Sequence, residues 1–158
     1  TGTIISARDA AHKAMTEALA KGESLPVDWH DQIVYYLGPT PAKPGDPIGS
    51  CGPTTSGRMD AYTPTMLAQG IKGMVGKGSR SPEVVEAMKK NGVTYFAAVG
   101  GAAALIAKSV KKYEVVGYPE LGPEAVAKLT VEDFPCIVVI DSEGNDFYEI
   151  GQKPYRRL

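Results

Sequence analysis

Short β-rich runs that end at glycine turns and lead into helices recur along this chain, and this alternation is the feature that most constrains its fold. Residues 3–6 form such a run, and the helical pattern that follows them stops at Gly22. Ser81-Pro82-Glu83 opens a later helix that ends at Asn91-Gly92. Proline at the first helical position and glycine after the last one are typical of helix ends. Strands that alternate with helices predict an α/β layered domain with partly parallel strand pairing.

The remaining elements follow from hydrophobic runs and from turn residues. We predict strands at residues 33–37, 71–75, 94–99, 115–116 and 135–141, and helices starting at Thr63-Pro64, in the alanine-rich stretch up to about residue 108, and at residues 123–129. A long Pro/Gly loop covers residues 38–53, and a loop of this length is usually functional or mobile. The turn at residues 142–145 predicts a closing hairpin with residues 147–150. A terminal hairpin would make the sheet mixed.

Length and charge narrow the class of protein. The 158 residues suffice for one compact domain and are too few for two ordinary ones, so we expect a single domain over residues 1–158. The formal net charge of −1 argues against nucleic acid as a partner. No apolar run approaches the roughly 20 residues that cross a bilayer, so we expect a soluble, cytoplasmic protein. Because the chain starts on a strand without an initiator Met, we also expect some N-terminal sequence to be missing.

The cysteine and histidine content leaves little room for a metal site. Cys51 lies in the Gly/Pro loop and Cys136 in an apolar run, so a disulfide framework is not expected. Two thiols cannot supply the three or four thiolates that usually hold an iron–sulfur cluster. The only histidines, His12 and His30, show no chelating spacing with a cysteine. We therefore expect no metal to be bound by this chain alone.

The segment at residues 52–60, Gly-Pro-Thr-Thr-Ser-Gly-Arg-Met-Asp, concentrates the groups that bind anions. Glycines let backbone N–H groups converge on an oxyanion, hydroxyls donate to it, and arginine grips a carboxylate with two hydrogen bonds. The alternative is an ordinary solvated turn, because Ser, Thr and Gly are common turn residues. A phosphate-binding P-loop is excluded, since Arg58 stands at the position of its lysine and Met59 at that of its hydroxyl.

Three more turns carry candidate anion-binding groups. Arg8 and His12 lie one helical turn apart at the start of a helix, where free N–H groups favour negative charge. Lys77 follows a strand between two glycines, although a solvated loop lysine would show the same pattern. The Gly100-Gly101 turn can seat an anion or serve close packing of a helix on a strand. The residues alone thus indicate an α/β domain with several turns suited to small anions.

These motifs together resemble one known family along nearly the whole chain. The resemblance is to the β subunit, or C-terminal domain, of class I iron–sulfur fumarases and L(+)-tartrate dehydratases. It is carried by Gly2-Thr3-Ile4, Ala7-Arg8-Asp9-Ala10-Ala11-His12, the segment at residues 52–60, GMVGKG at residues 73–78, Gly100-Gly101-Ala102-Ala103-Ala104 and Asp133-Phe134-Pro135. The resemblance implies a swivelling β/β/α three-layer domain with a mixed sheet.

The resemblance also implies a reaction, the reversible dehydration of a 2-hydroxy dicarboxylate, with malate to fumarate as the leading case. A separate α subunit would hold the 4Fe-4S cluster, whose open iron would bind the hydroxyl as a Lewis acid. The substrate-binding cations would be Arg8, Arg58 and Lys77, and Thr54 falls at the position of a hydroxyl proposed to act as the base. His12 and Asp60 would orient the cations.

The resemblance leaves alternatives open. L(+)-tartrate dehydratase is the close competitor, because tartrate differs from malate by one hydroxyl. A non-catalytic carboxylate-binding module is the candidate of another class. For the enzyme we expect activity only together with the α subunit, as a hetero-oligomer of two α and two β chains, whereas the isolated chain exposes surface through which it can self-associate.

Overall fold

Seven strands form one continuous hydrogen-bonded sheet in the computed structural model, which describes residues 1–157. The strands are β1 (Gly2–Ser6), β2 (Ile33–Tyr35), β3 (Gly73–Gly76), β4 (Thr94–Ala97), β5 (Val110–Gly117), β6 (Val126–Val131) and β7 (Ile137–Ile140). Their spatial order is β5-β6-β1-β2-β3-β4-β7. Strands β1 to β4 are mutually parallel, whereas β5, β6 and β7 pair antiparallel with their neighbours. The predicted α/β class with a mixed sheet is therefore confirmed.

Five α-helices connect or flank the strands in residues 1–157. They are α1 (Asp9–Ala20), α2 (Thr63–Leu67), α3 (Pro82–Asn91), α4 (Ala103–Ala107) and α5 (Phe147–Ile150), and short 3-10 helices lie at Ser56–Met59, Gly100–Ala102, Pro119–Glu124 and Lys153–Tyr155. The predicted ends of α3 are confirmed: the Ser81 side chain accepts from the N–H of Val84, and Gly92 adopts the left-handed conformation. No helix among these residues combines the length and the apolar character that a bilayer crossing requires.

Each face of the sheet packs into its own hydrophobic core, because side chains alternate along a strand. On one face, Val34 and Met74 lie in a core with apolar side chains of α1, α2 and α3. On the other face, the adjacent residues Tyr35 and Val75 pack with Ile106 of α4. Strands β2 and β3 contribute buried side chains to both cores, so they lie in the middle of the domain with packed residues on either face.

Two predicted elements are wrong. Residues 123–129 were expected to be helical, because Pro123 resembles a first helical residue, but Val126–Val131 is strand β6, whose residues 127–131 pair with β1. Residues 147–150 were expected to form the second strand of a hairpin, but they form α5, where the N–H of Tyr148 donates to the Asp146 carboxylate. A single β-bridge between Ile140 and Asp146 is what remains of that hairpin.

The four parallel strands end at a common edge of the sheet. Ser6 lies beside Tyr35, Tyr35 beside Val75, and Val75 beside Phe96. The residues that directly follow β1 to β4 therefore line up across the sheet, at the position where α/β proteins commonly bind ligands. We call this row the carboxyl edge. The predicted single domain over residues 1–158 stays a prediction, and residue 158 lies outside the described part of the chain.

Candidate active site

The carboxyl edge brings the predicted site residues together. Arg8 follows β1 by two positions and Lys77 directly follows β3. The segment at residues 52–60, which carries Thr54 and Arg58, crosses the ends of β2 and β3. The four side chains that the sequence predicts to bind or deprotonate a substrate are thus carried by backbone at one edge of the sheet.

Main-chain hydrogen bonds fix the position of Thr54. Its N–H donates to the carbonyl of Tyr36 at 2.7 Å, and two residues later the N–H of Ser56 donates to the carbonyl of Lys77 at 2.9 Å. Thr55 also forms an isolated parallel bridge with Lys77. Thr54 therefore lies between the ends of β2 and β3, where it is largely buried, with 9% of its surface exposed.

The Asp9 carboxylate joins the two predicted arginines. Its Oδ2 accepts from Nε of Arg8 at 3.1 Å and its Oδ1 accepts from Nε of Arg58 at 2.8 Å. Burial raises the pKa of Asp9, but its backbone hydrogen bond and the two arginines outweigh burial and hold the pKa below the usual value. A second carboxylate, that of Glu124, lies 3.2 Å from Nη2 of Arg8. Asp9 thereby holds both arginines near each other, with the Arg8 side chain 23% and the Arg58 side chain 54% exposed.

Lys77 is held by its main chain and extends along the carboxyl edge. Its N–H donates to Oγ of Ser56 at 3.1 Å. Its ammonium lies near the turn after β4, since a Cβ placed on Gly100 would lie 3.4 Å from Nζ. A Cβ at this distance would make only an ordinary van der Waals contact, so the Lys77 ammonium does not by itself require glycine at position 100.

His12 is buried and uncharged at neutral pH. Its Nδ1 lies 3.1 Å from the carbonyl oxygen of Arg8, and its ring packs edge-on against Tyr36 with centroids 5.4 Å apart. Burial lowers the pKa of His12 to about 4, and the positive charge of Arg80 acts in the same direction against the bond to Arg8. His12 thus contacts the backbone of a predicted cation and not its guanidinium.

Asp60 pairs with an arginine that the sequence analysis missed. Its Oδ1 accepts from Nε of Arg80 at 2.7 Å, and its Oδ2 accepts from the N–H of Ser81 at 2.8 Å. Asp60 was expected to orient the cations of the site, and the structure places its carboxylate against Arg80 and the N–H of Ser81. In the sequence, Arg80 stands between two serines before a proline, which is typical of a solvated turn, so no local signal indicated its burial.

The cysteines do not form a cluster site within residues 1–157. Cys51 is buried, its Sγ lies 3.9 Å from the carbonyl oxygen of Ala103, and burial raises its pKa to about 11. Cys136 is exposed. No group of three or more His, Cys, Asp or Glu side chains in these residues is arranged to hold a metal ion. An iron–sulfur cluster requires three or four thiolates, so this donor set does not fit one.

Comparisons with known proteins find relatives that match almost the whole chain. The chain is 47% identical over 150 residues to the aerobic class I fumarate hydratase of Escherichia coli, and 45% identical over 149 residues to fumarate hydratase 2 of Leishmania major. These matches cover 94% and 93% of this chain but 27% and 26% of those relatives. The chain thus spans about a quarter of the length of these relatives.

A shorter relative matches nearly end to end. A Methanocaldococcus jannaschii protein, whose name marks it as a candidate subunit beta of L(+)-tartrate dehydratase, is 43% identical over 164 residues, which cover 99% of this chain and 84% of that protein. The family model described as "Fumarase C-terminus" matches residues 1–151. On this extent of matching, the chain belongs to the fumarase C-terminus family.

Proposed function

We propose that this chain is the β component of an iron–sulfur hydro-lyase that reversibly dehydrates a 2-hydroxy dicarboxylate, with malate to fumarate as the leading reaction. The observation that carries the proposal is the placement of Arg8, Thr54, Arg58 and Lys77 along one edge of the sheet. The names of the relatives, fumarate hydratase and tartrate dehydratase, support the same reaction class.

The arrangement of cations suits a doubly negative substrate. Arg8 and Arg58 share the Asp9 carboxylate, while the Lys77 ammonium lies near the Gly100 turn. Guanidinium groups bind carboxylates through paired hydrogen bonds, and an ammonium adds a compact charge. Two carboxylates bound in this way would fix the carbon skeleton and stabilise the negative charge that develops when the neighbouring proton leaves.

Thr54 is the candidate proton-transfer group. Its hydroxyl is carried between the ends of β2 and β3, close in the chain to Arg58 and bridged through its neighbour to Lys77. A neutral hydroxyl is a weak base, so this role requires nearby cations that favour its deprotonated form. Replacing Thr54 by Val, which keeps its shape, tests the role: we expect turnover to fall while substrate binding persists.

The cofactor would come from a partner. We propose that a 4Fe-4S cluster is held by a separate α subunit, because the two thiols of this chain do not fit the ligand set of a cluster. The word "subunit" in the name of the archaeal relative supports a division between chains. An assembly of two α and two β chains is the stoichiometry we propose. The cytoplasmic location expected from the sequence stays a prediction.

Arg58→Ala tests the binding role directly. We expect this substitution to lower kcat/KM of the complex, reconstituted anaerobically with the partner, by about a hundredfold, since a preorganised charged donor is lost. Thermal unfolding should change little, because the Arg58 side chain is 54% exposed. Arg156→Ala is the matched control, since that guanidinium bonds Gln152 in the C-terminal segment. Wild-type kinetics in Arg58→Ala would refute the assignment.

Substrate competition separates the remaining alternatives. The same complex should be assayed with malate and with L(+)-tartrate, and a clear preference for tartrate would replace malate as the substrate. A non-catalytic carboxylate-binding module would bind dicarboxylates but release no product with either acid. Product formation by the reconstituted complex would exclude that module.

A further inference from the structure

A buried arginine contacts the stretches of chain that carry the predicted site residues. The side chain of Arg80 is fully enclosed, with 0% exposed. Its Nε donates to Asp60 at 2.7 Å, its Nη1 to the hydroxyl of Tyr36 at 3.2 Å, and its Nη2 to the hydroxyl of Thr63 at 2.8 Å. A guanidinium has rigidly arranged donors, so it fixes three acceptors in space relative to one another.

Two tyrosine rings enclose the same guanidinium. Its central carbon lies 5.2 Å from the ring centroid of Tyr36 and 5.3 Å from that of Tyr95, within the range of cation–π attraction. The hydroxyl of Tyr95 donates to the carbonyl of Gly78 at 2.9 Å and lies 2.8 Å from Oγ of Ser56. The ring of Tyr95 is thus packed on the arginine, while its hydroxyl reaches two segments of the carboxyl edge.

Further hydrogen bonds connect the residues around Arg80 to the backbone of the predicted site residues. The N–H of Lys77 donates to Ser56, and the next carbonyl, that of Gly78, accepts from Tyr95. The carbonyl of Tyr36 accepts from the N–H of Thr54. Asp60 stands two residues after Arg58, at the end of the 3-10 helix Ser56–Met59. We call Arg80, Asp60, Tyr36, Tyr95 and Ser56 the Arg80 network.

We propose that Arg80 is a positioning residue of the site, which holds the backbone of Thr54, Arg58 and Lys77 in one arrangement through the Arg80 network without touching substrate. This inference rests on the proposed function. A buried charge costs free energy unless its partners are in place. The enclosed Arg80 therefore favours the single arrangement in which each of its three guanidinium nitrogens has a hydrogen-bond partner.

The first test measures amide hydrogen exchange by mass spectrometry in the complex of the full chain with its partner. Arg80→Lys keeps the positive charge but removes the planar guanidinium that bonds three acceptors at once. Tyr95→Phe removes one hydroxyl while keeping the ring. In both variants we expect exchange at residues 54–60 and 76–78 to accelerate about tenfold, with strands β1 and β6 unchanged, because opening is local. If Arg80→Lys fails to fold, Tyr95→Phe alone decides the test.

The second test is a double-mutant cycle between Tyr95→Phe and Lys77→Met. If Tyr95 acts through Lys77, its hydroxyl should matter only while Lys77 is present. We expect Tyr95→Phe to lower kcat/KM about tenfold in the wild-type background, as small misplacements of catalytic groups do, and less than about twofold in the Lys77→Met background. A purely structural role would give the same loss in both backgrounds.

Ser109→Ala is the matched control, because it removes another buried hydroxyl bond, 2.6 Å long to the carbonyl of Ile106, outside the Arg80 network. We expect it to leave both readouts at wild-type values. The positioning role would be overturned if exchange rose equally in β1, β6 and residues 54–60 and 76–78. It would also be overturned if Tyr95→Phe lowered kcat/KM equally in both backgrounds of the kinetic cycle. A wild-type complex without dehydration activity would instead refute the proposed function, while the exchange result would still decide whether Arg80 holds the segments.

Discussion

The buried imidazole of His12 ties the stability of the domain to pH. Its pKa is lowered to about 4 by burial, whereas an unfolded histidine titrates near 6.5. The unfolded chain therefore binds a proton at a higher pH than the folded chain. Below about pH 6.5 protonation favours unfolding, and this loss levels off near pH 4. A difference of this size corresponds to about 3 kcal/mol of unfolding free energy across that window.

Urea denaturation at a series of pH values measures this effect. We expect His12→Gln to flatten the dependence between pH 6.5 and 4, whereas His30→Gln should preserve it, since His30 is exposed beside Asp31. The lowered pKa of Asp9 acts in a separate, more acidic window below 3.8. An unchanged slope in His12→Gln would show that His12 is not held neutral in the folded protein.

At the residue scale, the sequence analysis identified site residues that lie in motifs and missed Arg80, whose burial depends on partners that are distant in the chain. Arg8 was found because it stands at the start of a helix, and Lys77 because it follows a strand between two glycines, at the end of the sheet where α/β proteins bind ligands. Arg80 was missed because its burial depends on Tyr36 and Tyr95, which are distant in the chain and approach it only through the sheet. Packing between residues that are distant in the chain leaves no pattern in the local sequence.

At the element scale, helix ends were the most predictable feature because they depend on local chemistry. Ser81, Pro82 and Gly92 define both ends of α3. Strand β6 itself was not predictable, since Pro123 and the following residues suit a helix. Pairing with β1 makes this segment a strand. For α5 a local signal existed, because Asp146 is a good N-cap, but the preceding turn favoured a hairpin.

Gly92 provides the test of this local chemistry. It adopts φ 63° and ψ 48°, and a Cβ there would contact nothing within 4 Å. Gly92→Ala should therefore lower the unfolding free energy by about 1 kcal/mol through left-handed backbone strain alone. Gly92→Asn should cost less, because asparagine tolerates this conformation. Equal stability of the wild type and Gly92→Ala in thermal unfolding would mean that the end of α3 rearranges at no cost.

At the scale of the whole molecule, the two edges of the sheet differ in their relation to the candidate site. Strand β5 forms one edge, and strand β7 forms the other beside β4. Ile137, the first residue of β7, pairs with Ala97, which lies two residues before the exposed Val99. Helix α5, which follows β7, contributes the Tyr148 hydroxyl that accepts from the N–H of Gly78. The β7 edge therefore adjoins the carboxyl edge.

The β7 edge also exposes apolar side chains that a partner could cover. Ile137 is 62% exposed and Val138 50% exposed. An unpaired strand edge with apolar side chains favours association with another chain. We therefore expect the isolated chain to self-associate through this edge, and the same edge to contact the proposed partner.

Charge placed on this edge tests the expectation. Ile137→Lys with Val138→Lys should lower self-association of the isolated chain, measured by sedimentation velocity, and weaken copurification with the partner, because lysines on a strand edge oppose edge-to-edge pairing. The matched control is Val115→Lys with Val116→Lys on β5, where two neighbouring valines are also exposed at the opposite edge. If the double-lysine variants of β7 and β5 lower association equally, the added positive charge is the cause and not the β7 edge. If only the β5 pair disrupts assembly, the partner lies on the opposite side of the sheet, away from the strand that adjoins the carboxyl edge.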